Sequence, residues 1–127
     1  MTLALGRGPE GENSMDGILV SIKKLLGIEE GYTHFDPDII MHINTYIATL
    51  TQIGVGPKEG FTVTGTRETW QDFMGDDPRL ESVKTYIYLK ARLVFDCPAS
   101  STIVEAMKAS AAEIEWRLNA TAETKEE

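Results

Sequence analysis

The chain has 127 residues, enough for one domain whose folding hides roughly two-thirds of the surface that the unfolded chain exposes. Hydrophobic residues make up 42% and charged residues 25%, and 20 acidic against 12 basic side chains leave a net charge of −8. That balance argues against a dedicated DNA binder, whose affinity rests on Lys and Arg paired with phosphates, because Lys23-Lys24 is the only adjacent basic pair.

Residues 1–14 are Gly-rich and polar and are expected to be a disordered extension. They hold one Arg and no apolar stretch long enough for a signal peptide, and no apolar run in the chain approaches the roughly 20 residues of a membrane span. A cytosolic life is expected, and the single Cys97, which offers no intrachain disulfide, agrees with it. Met15 opens directly onto a periodic segment and could be the natural start. The domain is expected over 15–119, followed by a disordered acidic tail at 120–127.

Five helices are predicted, giving an all-α bundle. The first covers about Asp16 to Leu26, with Ile18, Leu19, Ile22, Leu25 and Leu26 on one face, Ser14 or Asp16 as cap and Gly27 as stop. The second has Asp36 as cap, Pro37 at the first helical position and Gly54 as terminator. Ile39, Ile40, Ile43, Ile47, Leu50 and Ile53 form its apolar stripe. Residues 54–65 hold four glycines and a proline, which predicts a protruding loop or a short β-hairpin. A short helix at about Arg67–Met74 carries Trp70 and Phe73. The signal Asp76-Asp77-Pro78 then starts a fourth helix reaching about Phe95, apolar on most sides. Asp96-Cys97-Pro98 breaks it, and Ser100 or Ser101 caps a last helix ending near Leu118.

The residues that could carry chemistry have plainer readings. Asp38 and His42 lie one turn apart, with His34 and Asp36 nearby, but the HExxH arrangement is absent and Asp36 is explained as a cap. Asp76-Asp77 reads as helix initiation, not as paired carboxylates for acid–base work. Cys97 has no histidine beside it in sequence, and Gly54-Val-Gly56 lacks both the GxGxxG spacing and a Walker Lys-Ser pair. No catalytic residue, metal site or cofactor is expected, which leaves assembly and binding as the functional classes.

Six segments stand in order: DGILVSIKKLLGI at 16–28, FDPDIIMHINT at 35–45, LTQIGVGP at 50–57, WQDFMG at 70–75, LESVKTYIYLK at 80–90 and IEWRLN at 114–119. Together they resemble phage head–tail connector (adaptor, or head-completion) proteins. The resemblance covers about residues 15–119; the extension before Met15 departs from the family pattern. It implies a non-enzymatic subunit of a ring, usually dodecameric, docked beneath the portal of a tailed phage. Such a ring extends the DNA channel, lets DNA pass without sequence-specific binding and offers a platform to stopper or tail proteins. The implied location is the virion, after synthesis in the host bacterial cytoplasm.

A ring needs a head-to-tail contact whose rotation closes, supplied by apolar residues beyond those the core requires. The candidates are Val55, Pro57, Phe61 and Val63 in the 54–65 loop, with Trp70, Tyr86, Tyr88 and Trp116. Trp70 and Trp116 could equally complete the core. The alternatives are a small intracellular helical protein-binding regulator without a ring, a helical DNA-packaging factor, and a metal-dependent hydrolase using His34 and His42.

Overall fold

The computed structural model describes residues 17–126, with side chains through residue 122. The expected extension 1–14, Met15 and the cap candidates Ser14 and Asp16 lie outside the described residues. Five α-helices follow in order: α1 (Ile18–Leu25), α2 (Asp36–Gln52), α3 (Trp70–Met74), α4 (Leu80–Phe95) and α5 (Ser101–Glu126). Among the described residues there is no sheet, and the one β-bridge joins Gly17 to Thr69.

Two helices end by the same device. At the end of α1, the Gly27 N–H reaches the Lys24 carbonyl and the Ile28 N–H reaches that of Lys23. At the end of α2, the Gly54 N–H reaches Thr51 and the Val55 N–H reaches Leu50. Both are Schellman closures, which need a left-handed residue, and Gly27 (φ 82°) and Gly54 (φ 94°) supply it. The second closure also seals its apolar contact, because Leu50 and Val55 are both fully buried.

The core lies where α1, α2 and α4 meet. Ile18, Leu19 and Ile22 from α1, Ile39, Ile43, Ile47 and Leu50 from α2, and Val83, Tyr86, Ile87 and Ala91 from α4 are all buried. Each fully buried Ile or Leu contributes about 1.5–3 kcal/mol, which outweighs the weak helix propensity of the β-branched residues. α5 packs chiefly against α4. Its buried positions are Ala111, Leu118 and Ala122, a narrow seam made largely of small side chains.

The starts of α2 and α4 differ from the expected caps, whereas Ser100 caps α5 as expected, its hydroxyl accepting from the Ile103 N–H at 3.3 Å. α2 begins at Asp36 itself, with Phe35 before it and no side-chain cap, and Pro37 is the second helical residue. α4 begins at Leu80, after a turn in which the Asp77 carboxylate accepts from the Arg79 backbone N–H (2.9 Å) and from its guanidinium (2.6 Å). α3 is shorter than expected because Thr69 caps it: its hydroxyl accepts from the Asp72 N–H while the Asp72 carboxylate accepts from the Thr69 N–H, both at 3.0 Å. α5 runs on past Leu118 to Glu126, so most of the expected 120–127 tail is helical. Residue 127 lies outside the described residues.

The 54–65 segment is irregular backbone without the two strands of a hairpin. The Asn44 side chain takes the place of a partner strand. Its amide donates to the Val63 carbonyl (3.0 Å) and accepts from the Val63 N–H (2.8 Å). At the tip, the Gly60 N–H closes a turn on the Pro57 carbonyl.

Candidate assembly surfaces

Four of the eight candidate contact residues are interior to this protomer. Val55, Val63, Trp70 and Tyr86 are at most 1% exposed. The Trp70 indole N–H donates to Ser21 Oγ at 3.0 Å, tying α3 to α1. The Tyr86 hydroxyl donates to Glu115 Oε2 at 2.7 Å, tying α4 to α5. Burial, the Glu115 contact and the nearby Tyr46 together push the Tyr86 phenol well above its usual range, so it stays neutral. Pro57, Phe61 and Tyr88 are half-buried, and the Phe61 and Phe73 rings pack at 5.1 Å between centroids. Trp116 alone is fully at the surface, 71% exposed.

The structure places other apolar side chains at the surface that the periodic patterns assign to helix faces or leave unassigned. Leu25, Tyr32, Phe35, Met41, Val94 and Ile103 are all exposed. Tyr32, His34, Phe35, His42, Tyr46 and Phe95 form one chain of ring contacts, 4.9 to 6.3 Å between neighbouring centroids. This cluster joins the α1–α2 connection and the middle of α2 to the last turn of α4. Both histidines of the chain belong to it, and no group of three metal-ligating side chains occurs among the described residues.

Beneath that connection lies a buried cation. Lys23 is 2% exposed, and its ammonium donates to the carbonyls of Glu30 (3.0 Å) and Tyr32 (2.7 Å) and sits 2.8 Å from the Asp36 carboxylate. Two of the three ammonium donors go to those carbonyls, and Asp36 Oδ1, which has no hydrogen-bond partner, is held by the opposite charge. The carboxylate that the sequence offers as a helix cap is therefore engaged by a lysine from α1, which fixes the path of residues 26–35.

On another side, α1 and α4 leave a groove of about 480 Å³ between them. Val20, Leu25 and Tyr88 give it apolar walls, and Lys24, Lys84 and Glu81 stand on its rim. Lys84 Nζ lies 5.8 Å over the Trp70 ring, a cation–π distance. The Tyr88 hydroxyl accepts from Arg92 at 2.9 Å.

These surfaces belong to a short helical bundle with an exposed aromatic end, a lone exposed tryptophan and an apolar groove. The family model for phage connector proteins matches residues 18–125, which spans all five helices but the final residue of α5. The chain belongs to the phage connector protein family. No curated protein and no solved structure matched it. Among the described residues, no helix is long and apolar enough to cross a membrane.

Proposed function

We propose that the chain is a structural subunit of the head-to-tail connection of a tailed phage, made in the host cytoplasm and retained in the virion. Copies associate head to tail into a closed ring, twelve in number, beneath the portal. The ring extends the DNA channel and presents a platform for the stopper or tail-completion protein. The family match over residues 18–125 carries this reading. The exposed surface supports it, because among the described residues seven large apolar side chains stay exposed. In the proposed ring the contacts fall on Pro57, Phe61, Tyr88 and Trp116. Val55, Val63, Trp70 and Tyr86 support those surfaces from within the protomer. The role needs no enzymatic step.

The net charge of −8 suits a lumen that repels the DNA backbone, so that the genome slides and does not bind. Electron microscopy of particles containing the protein tests the reading directly. A ring of density directly below the portal, lost when the gene is deleted, is expected; particles with normal tails and no such ring would overturn it.

A further inference from the structure

We propose that Trp116 of one copy seats in the α1–α4 groove of the next, forming the repeating contact of the ring; this rests on the ring reading above. The two partners lie on different faces of the same chain. α5 spends its buried positions, Ala111, Leu118 and Ala122, against the bundle, while Trp116 points away at 71% exposure beside exposed Ala109 and Ala112. Within its own copy the indole only borders a shallow hollow with Arg79, Ser82 and Ile114, and most of its surface stays in solvent. The groove has no residue from α5 in its walls. A knob and a groove on separate faces cannot both be satisfied within one copy, and they give a heterologous contact, the type that closes into rings.

Size and charge fit one another. An indole buries about 150–250 Å² when enclosed, more than any other side chain here could add from so exposed a position. The groove of about 480 Å³ has the apolar walls and the room for it. Its rim carries Lys24 and Lys84, and an ammonium is attracted to an indole face; Lys84 already lies over the Trp70 indole next to the groove. On the other partner, Glu113 stands one turn from Trp116. Its bond to Arg117 (2.7 Å) is between two largely exposed groups, so re-pairing with a groove lysine costs little.

The test reads tryptophan accessibility and assembly in the unmodified chain and three variants. Trp70 is buried and Trp116 exposed, so in the dispersed protein acrylamide should quench one of the two fluorophores. On rings, formed at high concentration or on portal-bearing capsids, both should be protected. Trp116→Ala, Thr85→Phe (which fills the groove) and Leu25→Gln (which removes an apolar wall) should each weaken ring formation by about tenfold or more while keeping the helical circular dichroism of the parent. Rings in which Trp116 stays quenchable overturn the inference and leave the ring reading standing, as does undiminished assembly of a folded Trp116→Ala or of both folded groove variants. If the unmodified chain forms no ring under either condition, both the ring reading and this inference fall.

Discussion

The α1–α2–α4 core and the α5 helix are built on opposite terms. In the core, Ile39, Ile43, Ile47, Leu50, Val83 and Ile87 meet with no exposure at all, and one helix stripe specifies each partner. α5 is the longest helix, 26 residues, yet it is held by a seam of small residues, one buried leucine and the Tyr86–Glu115 hydrogen bond. Its first ten residues have no buried position. Most helical stability in proteins comes from packing an apolar face, and these ten residues contribute no fully buried side chain to it. The core fixes a shape; α5 presents one.

Substitutions at matched positions should expose that contrast. The largest effect is expected for Ile47→Ala, at about 2–5 kcal/mol in chemical denaturation, because a fully enclosed site collapses poorly around a cavity. Lys23→Met keeps the length of the side chain but strands the Asp36 carboxylate and the carbonyls of Glu30 and Tyr32. A loss of about 2–3 kcal/mol is expected, below the figure for a wholly enclosed pair because Asp36 reaches water. A loss under 1 kcal/mol would show that the connection relaxes to solvate both groups.

Gly27 and Gly54 allow α5 docking to be weighed separately from backbone strain. Both have positive φ, but a Cβ at Gly27 meets nothing within 4 Å, whereas one at Gly54 would lie 2.8 Å from the Ala122 Cβ. Gly27→Ala should cost about 1 kcal/mol, and Gly54→Ala about 1 kcal/mol more, with faster hydrogen exchange in the last turns of α5. Equal costs would mean that the end of α5 does not bear on the bundle.

Tyr86→Phe gives a smaller effect with a pH signature. The folded phenol titrates above its ordinary value of 10.0, so its stabilising contribution is whole below pH 10 and is lost as pH rises through the folded value. The variant should lose about 1 kcal/mol at neutral pH and show a shallower decline in alkali, with Tyr46, also raised by burial, leaving a residual slope. Smallest of all, Ile103→Ala should change stability by no more than about 0.5 kcal/mol, since that side chain is half exposed at the start of α5.

Much of the core was legible as periodicity. The isoleucine stripe of α2 and the Gly27 and Gly54 stops were readable because each rests on spacing or on one residue's backbone freedom. The starts were harder. Asp36 and Asp77 carry strong local capping signals, but a lysine from α1 claims the first and Arg79 the second. The first claim is long-range and invisible in a window of sequence. Thr69-x-x-Asp72 was a readable capping signal, and the expected start at about Arg67 lies two residues before it. Apolar residues in a glycine-rich loop suggested an exposed contact, yet Val55 is buried as the closing residue of the α2 end and Val63 is drawn in by Asn44. For Trp70 and Trp116 the sequence offered equal readings, and only packing separates the enclosed indole from the exposed one.

The Asn44–Val63 pairing has a consequence for how this chain can vary. One amide pins one loop residue in both directions, and Val55 anchors the other arm, so the turn at 57–60 hangs between two fixed posts. Chain length can change there without moving either post. The tip around Lys58 and Glu59 is thus where a tag, a label or an inserted domain could be carried with the helices undisturbed.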